Sequence, residues 1–304
     1  MLYDLIIIGG GPAGITAAIY AARRKIKFLF ITIDIGGQVV WSSEVENYTG
    51  VPSLSGIELV QRFQEHIKEY NIKVKQEEVI NLRRDGKILN VKTKKGVYES
   101  KAVIVASGKK PKKLDVPGEE KFLGKGVNYC ATCHAPSYKD KVVAVAGGGN
   151  SGCEAALFLK KYAKKVYLLN INPKLDGEAH LRDKVLQEKK ISVLNSVKIK
   201  EILGQESVDS LKYEQEGKEK ILKLDGIFIE VGLLAKVDFT NVKKNKWGEI
   251  KIFRGTRTHD ENFTSIRGIF AAGDCTDVPA KQIIVAAGEG CKAALASFDY
   301  ILKC

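Results

Sequence analysis

The chain of 304 residues has few cysteines, no long apolar segment and no block of five or more like charges. Six cysteines are too few for a disulfide scaffold, and only Cys130 and Cys133 are close in sequence. No apolar run approaches the roughly 20 residues that span a bilayer, so we expect no membrane association. The N-terminal segment lacks the basic start and the cleavage site of a signal peptide. These absences predict a cytoplasmic protein.

The net charge of +13 comes from lysines and arginines spread along the chain. A solvated, lysine-rich surface explains such a spread, and so does an electropositive face that attracts an acidic partner protein. No aromatic-basic motif accompanies the charge, so no nucleic-acid partner is expected.

Two copies of one local pattern organise the chain. An apolar run at 2–8 is followed by glycines and a helical pattern at 13–24, and the same order returns over 141–161. Short apolar runs are typical of buried parallel strands, and glycines between strand and helix are typical of a dinucleotide-binding unit. The predicted fold class is α/β, with two Rossmann-like, three-layer ββα dinucleotide-binding domains, the second inserted into the first.

The first glycine loop, GGGPAG at 9–14, matches G-x-G-x-x-G between a strand and a helix. In this motif Gly9 permits the tight turn, Gly11 lets a pyrophosphate approach the backbone, and Gly14 lets the helix pack on the strand. The helix N-terminus offers amides and the positive end of its dipole to the phosphates. Asp34 stands about 20 residues after Gly14, where an acid that binds a ribose hydroxyl belongs.

The second glycine loop, GGGNSG at 147–152, repeats the pattern, with an acid in the first helical turn. A flavin on one loop and a nicotinamide on the other would let a hydride donor meet its acceptor. The candidate nicotinamide-site residues are Gly147, Gly149, Asn150, Ser151 and Glu154. Gly273 and Asp274 follow another apolar run, and a carboxylate there can bind a flavin ribityl hydroxyl; alone, this pair is a common turn.

The pair Cys130-Ala131-Thr132-Cys133 is the only C-x-x-C in the chain. Such a pair forms a small disulfide ring, and a thiolate at a helix N-terminus is a good nucleophile because its pKa is depressed. His134 is placed to carry the proton of thiol–disulfide exchange. Zinc is the rival interpretation, but a closed zinc site usually needs two paired clusters, so no metal is predicted. The other cysteines are interpreted as structural.

Together these residues resemble the low-molecular-weight thioredoxin reductase family, class II of the pyridine nucleotide-disulfide oxidoreductases. The resemblance rests on seven segments: GGGPAG at 9–14, GGQ at 36–38, EVENYTG at 44–50, ASG at 106–108, CATC at 130–133, GGGNS at 147–151 and AAGDCTD…KQI at 271–283. It implies an FAD-binding domain at 1–113 and 242–304, and an NAD(P)H-binding domain carrying the cysteine pair at 114–241.

The same resemblance implies roles for individual residues. Cys133 would lie against the flavin and receive its electrons, and Cys130 would attack the disulfide of a thioredoxin-like or glutaredoxin-like partner protein. The family forms homodimers, and its nicotinamide domain rotates during turnover. The implied FAD-site residues are Gly11, Pro12, Ala13, Gly14, Gly37, Gln38, Asn47, Ala106, Ser107, Gly108, Gly273, Asp274, Gln282 and Ile283.

Two departures from the family pattern affect function. The family usually has an Asp as proton donor directly after the second cysteine, where this chain has His134. Members that use NADPH carry an arginine pair for the 2′-phosphate, where this chain has Asn170 to Leu175. This segment is more similar to the reductase half of the alkyl hydroperoxide reductase flavoprotein, which prefers NADH but usually has an acid at the position of Asn170. We therefore favour NADH over NADPH.

The leading hypothesis is an FAD-dependent disulfide oxidoreductase of the thioredoxin reductase type. It would pass electrons from NADH or NADPH through FAD and the Cys130–Cys133 pair to a protein disulfide. One alternative is a ferredoxin-dependent flavin thioredoxin reductase with an impaired nicotinamide site, which the basic charge would suit. Another is a flavin-binding regulatory protein without turnover.

Overall fold

The computed structural model describes residues 1–42, 45–255 and 261–303. The chain divides into two compact units: unit 1 comprises Met1–Lys110 and Leu234–Cys304, and unit 2 comprises Pro111–Leu233. From the sequence we expect the domain boundaries after residues 113 and 241. Residues just after 233 lie with unit 1 because Ala235 and Val237 are buried in one of its cores.

Unit 1 is built on a seven-stranded sheet. Its strands are β1 (Leu2–Ile8), β2 (Phe28–Thr32), β3 (Val74–Gln76), β4 (Val79–Asp85), β5 (Ile88–Thr93), β6 (Val97–Val105) and β17 (Ile269–Ala271). Its helices are α1 (Pro12–Arg23), α2 (Gly56–Glu69) and α6 (Ile283–Leu302). The order β3-β2-β1-β6 is parallel, β17 adds a parallel partner to β6, and β5 and β4 continue antiparallel.

Unit 2 repeats this arrangement on a smaller scale. The strands are β8 (Val127–Asn128), β9 (Val142–Ala146), β10 (Lys165–Leu169), β11 (Ile191–Leu194), β12 (Val197–Gly204), β13 (Val208–Gln215), β14 (Lys218–Lys223) and β15 (Gly226–Ile229). The helices are α3 (Ala131–His134), α4 (Asn150–Leu159) and α5 (Ala179–Gln187). The parallel sheet has the order β11-β10-β9-β15-β8, and a separate antiparallel sheet has the order β12-β13-β14.

Alternating side chains give each unit three layers. In β1, Leu5 and Ile7 are buried against the helices, whereas Ile6 and Ile8 are buried in a second core with residues of β4 and β5. In β9, Val143 and Val145 face the helices, and the intervening alanines face β12 and β13. A strand buried on both faces requires the continuous apolar runs that the sequence shows. The α/β class and the two Rossmann-like domains are thus confirmed.

Two short strands, β7 (Lys109–Pro111) and β16 (Leu233–Ala235), pair where the chain leaves and re-enters unit 1. Within each parallel sheet the carboxyl ends of the strands meet at one edge, which is where ligands bind in open α/β sheets. Over the part of the chain that is described, no helix is long and apolar enough to cross a membrane.

Candidate active site

The first glycine loop is shaped by close contacts between backbone atoms. Gly9 has φ of +112°, and a Cβ atom there would lie 2.2 Å from the carbonyl oxygen of Ala106. A Cβ atom at Gly14 would lie 1.8 Å from the Gly9 carbonyl oxygen, whereas one at Gly11 would meet nothing within 4 Å. Gly9 and Gly14 are therefore needed by the fold itself. Gly11 leaves open space at the start of α1, where the sequence predicts the pyrophosphate.

The segment at 36–38 brings further predicted FAD residues to this open space. The amide of Gly36 donates to the Gly10 carbonyl at 2.7 Å, and a Cβ atom at Gly37 would lie 3.4 Å from the Cα of Gly11. The amide nitrogen of the Gln38 side chain lies 3.9 Å from the Cβ position of Gly108. Asp34 is exposed just beyond the end of β2.

Residues from the C-terminal segment reach the same edge of the sheet. A Cβ atom at Gly273 would lie 3.0 Å from the Cβ of Ala13. The side chain of Asn47 donates to the Gln282 side-chain oxygen at 3.1 Å, across 235 residues of sequence. The hydroxyl of Ser107, another predicted FAD residue, is used within the protein, since it donates to the Lys236 carbonyl at 2.6 Å. Pro12 and Ile283 are the first residues of α1 and α6.

Asp274 lies in a charged environment beside this cluster. Burial raises the pKa of its carboxyl, and nearby Lys281 and Lys109 oppose the rise. Both lysines also contact the Glu249 carboxylate, at 3.2 Å and 2.9 Å. The two cations limit this rise of the Asp274 pKa at the end of β17, where the sequence places a group that binds a ribityl hydroxyl.

The predicted FAD residues of unit 1 fit the cofactor. Within the described residues, the N-cap residues of α1 and α6, Gly11 and Gln282, make no side-chain cap hydrogen bond to the first turn. The leading amides of a helix and the helix dipole bind phosphate. The space over Gly11, the carboxylate of Asp274 and the Asn47–Gln282 pair lie in the same unit. When bound, the flavin would supply two-electron chemistry between a nicotinamide and a disulfide.

The second glycine loop reproduces the contacts of the first. Gly147 has φ of +126°, and a Cβ atom there would lie 2.1 Å from the carbonyl oxygen of Glu230. A Cβ atom at Gly152 would lie 1.9 Å from the Gly147 carbonyl oxygen, and one at Gly149 would meet nothing within 4 Å. The N-cap residue of α4 is Gly149, which has no side chain to cap the first turn. This loop therefore also fits a dinucleotide phosphate.

The loop after β10 is fastened to the second glycine loop. Asp176 and Gly177 donate their amides to the Gly148 carbonyl, at 2.9 and 3.2 Å. Asn150 both accepts from the Glu178 amide and donates to the Glu178 carboxylate, at 2.7 and 3.0 Å. Ser151 is exposed in the first turn of α4. The predicted nicotinamide residues Gly147, Gly149, Asn150 and Ser151 therefore lie together in the loop and the start of this helix.

The side chain of Asn170 holds this loop in place through hydrogen bonds. Its side chain is buried, and its amide nitrogen has three acceptors: the carbonyls of Asn172 and Lys174, and the side-chain oxygen of Asn195. Its own oxygen accepts from the Asn172 amide. The residue that replaces the usual acid is thus a structural part of the loop. Lys174 is the only basic residue from 170 to 178.

The redox pair follows β8 at the start of α3. Cys130 and Cys133 form a disulfide, and the Cys130 sulfur accepts from the Cys133 amide at 3.1 Å. Cys130 is buried with 6% exposure, and Cys133 is exposed. The ring nitrogen Nδ1 of His134 lies 3.0 Å from the Cys130 carbonyl oxygen, and the ring is exposed. A helix amide at the sulfur favours the thiolate.

The other described cysteines lie in structural settings. Burial raises the pKa of the Cys153 thiol, and it raises that of Cys275 to about 11, so both remain protonated. Cys291 is a free thiol in α6, and Cys304 lies outside the described residues. Among the residues that the structure describes, no cluster of His, Cys, Asp or Glu is arranged to hold a metal ion.

Two acids near the second loop were not singled out from the sequence. Glu230 directly follows β15, and burial, then the Glu154 charge, raises the pKa of its carboxyl to about 8. Glu178 is the partner of Asn150. The position of Glu230 immediately after a buried strand was a readable signal. Glu178 carried none, because its role depends on how the loop after β10 folds.

Comparison with known proteins agrees with this arrangement. The family model for pyridine nucleotide-disulphide oxidoreductases matches residues 3–290. A subunit of the alkyl hydroperoxide reductase of Escherichia coli is 38% identical over 311 residues, which cover 99% of this chain and 58% of that protein. A protein of Bacillus subtilis named NADH dehydrogenase is 37% identical, covering 99% of this chain and 59% of that protein. The chain thus spans less than two thirds of these relatives.

Solved structures match the whole fold. Thioredoxin reductase of Lactococcus lactis has a TM-score of 0.92 and 31% identity, covering 99% of this chain and 100% of that one. A ferredoxin-flavin thioredoxin reductase of Clostridium acetobutylicum has a TM-score of 0.54 and 33% identity, covering 100% of this chain and 98% of that one. The chain belongs to the pyridine nucleotide-disulphide oxidoreductase family, which confirms the resemblance stated from the sequence.

Proposed function

We propose that this chain is a cytoplasmic, homodimeric flavoenzyme that passes electrons from NADH through FAD and the Cys130–Cys133 disulfide to a protein disulfide. The acceptor is a thioredoxin-like or glutaredoxin-like protein. The proposal is supported by the family and by a cysteine pair in the unit that carries the second glycine loop. The domain roles follow: unit 1 binds FAD, and unit 2 binds the nicotinamide and carries the redox pair.

The observation that carries this proposal is the disulfide at the start of α3. Its ring opens when two electrons enter, and each cysteine has a different environment. The exposed Cys133 is the sulfur that takes electrons from the flavin. Cys130 is the nucleophile toward the partner, and its sulfur is stabilised as a thiolate by the Cys133 amide. The backbone donors at α1 and α6 hold the FAD phosphates and orient the cofactor.

The choice of NADH is supported by the loop after β10. A 2′-phosphate needs a bidentate cationic partner, and this loop offers Lys174 but no arginine. The carboxylate of Glu178, beside Asn150, would repel a further phosphate. NADPH is therefore the weaker donor.

A second candidate is electron supply by a reduced ferredoxin. It is supported by the likeness to the ferredoxin-flavin thioredoxin reductase, and by the commitment of Asn170 to loop hydrogen bonds. The net charge of +13 suits an acidic protein donor. In this case neither nicotinamide would reduce the flavin at a useful rate.

Anaerobic titration of the FAD-loaded protein with NADH, NADPH and reduced ferredoxin separates these cases. We expect NADH to bleach the flavin of the wild-type protein. The reduced wild-type protein should then reduce thioredoxin or glutaredoxin. The Cys133→Ser variant should still bleach but fail to reduce either acceptor. Cys291→Ser is the matched control, because it changes a free thiol outside the pair. Bleaching by ferredoxin alone would select the second candidate, and acceptor reduction by Cys133→Ser would contradict both.

A further inference from the structure

The redox pair begins a short segment that has little regular structure of its own. Residues 130–138, which we call the redox segment, contain one turn of α-helix, Ala131–His134, and one turn of 3₁₀ helix, Ala135–Tyr138. A helix this short is not stable by itself. The position of the two sulfurs therefore depends on what holds the ends of the redox segment.

The first end is held by Glu119, whose exposure is 2%. Its carboxyl oxygens accept from the backbone amides of Leu114 and Asp115, at 2.9 and 2.7 Å. They also accept from the Tyr129 hydroxyl at 2.5 Å, and these hydrogen bonds offset the cost of burying an acid. Because Tyr129 directly precedes Cys130, this contact fixes the residue from which the redox segment starts. We call the Glu119–Tyr129 contact the first anchor.

The backbone beside Glu119 is supported by β12. The Ile202 amide donates to the Pro117 carbonyl at 2.9 Å, and a Cβ atom at Gly118 would lie 2.0 Å from the Ile202 carbonyl oxygen. Burial, and then the hydrogen bond with Glu119, raises the pKa of Tyr129, so the tyrosine hydroxyl remains a donor. The first anchor thus ties the redox segment to the antiparallel sheet of unit 2.

The other end of the redox segment is held by Tyr138. Asn128 donates to the Tyr138 hydroxyl at 2.8 Å, and the tyrosine ring lies 5.2 Å from the ring of Phe228 between centroids. A Cβ atom at Gly226 would lie 2.3 Å from the same ring, so the glycine makes room for it. We call the Asn128–Tyr138 contact the second anchor.

The two anchors act on neighbouring residues from opposite faces of the parallel sheet. Asn128 ends β8, and Tyr129 follows it. Tyr138 belongs to the core on the α4 side, whereas Tyr129 packs against the core on the side of β12 and β13. Neither anchor uses a cysteine sulfur, so opening the S–S bond removes no hydrogen bond from either.

We propose that the two anchors position the cysteines of the redox pair, keep the sulfurs close in the dithiol and so make the pair a stronger reductant. This role rests on the proposed function. A chain segment held at both ends loses little entropy when its sulfurs join again. The effective concentration of one sulfur at the other is then high, which favours the disulfide over the dithiol.

The anchors matter most in the last step of transfer to the partner. Two electrons arriving through FAD open the S–S bond and leave two thiolates. Cys130 attacks the partner disulfide, a mixed disulfide forms, and one partner sulfur leaves as a thiolate. The Cys133 thiolate then attacks the Cys130 sulfur, the original S–S bond re-forms, and the second partner sulfur leaves as a thiolate. Both partner thiolates take their protons from water.

The test measures the potential of the redox pair in the FAD-loaded full chain. Each protein is equilibrated anaerobically in dithiothreitol buffers of known ratio, and alkylation with mass spectrometry gives the fraction of the pair that is oxidised. The variants are Tyr129→Phe and Glu119→Gln for the first anchor and Tyr138→Phe for the second. Glu120→Gln is the matched control, because this neighbouring side chain is 80% exposed. Leu211→Ala is the control for lost stability, because Leu211 is buried in the core that Tyr129 contacts.

We expect the Tyr129→Phe and Tyr138→Phe variants each to lower the equilibrium constant for disulfide formation roughly tenfold, which raises the potential by about 30 mV. Glu119→Gln should have a larger effect, because an amide has one oxygen for the three donors that the carboxyl group accepts. Glu120→Gln and Leu211→Ala should keep the wild-type potential, although Leu211→Ala unfolds more easily.

Wild-type potentials in both tyrosine variants would overturn the proposal. An equal shift in Leu211→Ala would overturn it too, because lost stability and not the anchors would then set the potential. If Glu119→Gln does not fold, Tyr129→Phe decides for the first anchor, since it removes only a hydroxyl. The expected shifts in a pair that neither NADH nor ferredoxin can reduce through FAD would support the anchors and overturn the proposed function.

Discussion

The two glycine loops, at 9–14 and 147–152, make the same close backbone contacts in the turn between strand and helix. They differ in the side chains around that turn. In each, the first glycine packs on the carbonyl of the residue that follows a neighbouring strand, Ala106 after β6 or Glu230 after β15, and the last packs on the carbonyl of the first. In each, the carbonyl of the second glycine accepts an amide from the loop after the next strand. The shared contacts are requirements of the turn, whatever ligand it binds.

The differences concern what surrounds each turn. Pro12 begins α1 and has no side-chain donor, whereas Asn150 begins α4 and bonds Glu178. The Ala106 position of the first loop is Glu230 in the second. These differences support our proposal that the first loop holds the resident FAD and that the second binds the nicotinamide, which exchanges during turnover.

The largest effect is expected at the glycines that pack on carbonyl oxygens. Gly14→Ala and Gly152→Ala each place a Cβ within 2 Å of such an oxygen, so each should lower the free energy of unfolding by about 3 to 5 kcal/mol. Denaturant titration measures this loss. Gly11→Ala and Gly149→Ala are the controls, and equal stability in all four variants would show that the two loops are not under this constraint.

Glu230, which has in unit 2 the position that Ala106 has in unit 1, should make the stability of the wild type depend on pH. The pKa of Glu230 is raised to about 8 in the folded state, from about 4.3 when unfolded. Wild type should therefore lose stability relative to Glu230→Gln as pH rises from about 4.5 to about 8, by about 2 kcal/mol or more, with no further loss above that range. Thermal or denaturant unfolding across pH measures the difference, and a gap that does not vary with pH would contradict it.

The loop after β10 is expected to reject the acid that relatives have. In Asn170→Asp the new carboxylate would face the carbonyl oxygens of Asn172 and Lys174 and lose the donor they share. We expect a loss of about 2 kcal/mol of stability and weaker NADH binding. Fluorescence titration with NADH measures the latter. Tighter NADH binding would show that the loop re-forms around an acid, as the simple analogy with relatives suggests.

The smallest effect should separate the two ligands. Gly11→Ala should weaken FAD binding by about tenfold, or about 1.4 kcal/mol, and Gly149→Ala should do the same for NADH. Each variant serves as the control for the other, because both positions have open space above them. Equilibrium binding of each ligand to each variant measures the pattern. If both variants weakened the same ligand, the assignment of loops to ligands would be wrong.

Features set by local chemistry could be predicted from the sequence, and features set by register could not. The glycines at 9, 14, 147 and 152 are required by a tight turn, so a short motif reveals them. Helix α2 was not predicted, although Ser55 and Glu58 form a capping box that is readable in sequence. The pairing of β8 with β15 depends on how strands about 100 residues apart align, and no local pattern encodes that alignment.

The fate of Asn170 shows a second limit. Its position matches that of the acid in relatives, which suggests a contact with the cofactor. In the structure its amide is used by three acceptors in and near its own loop. These three acceptors could not be predicted from the sequence, because they come close to the Asn170 side chain only when the loop is folded.

The number of electrons that the protein accepts tests the central claim most directly. Anaerobic titration of the FAD-loaded protein with NADH should require two equivalents per chain in wild type, one for FAD and one for the Cys130–Cys133 disulfide. The Cys130→Ser/Cys133→Ser double variant should require one equivalent, and alkylation should label both sulfurs only in reduced wild type. An end point of one equivalent in wild type, with the pair unlabelled, would contradict the account.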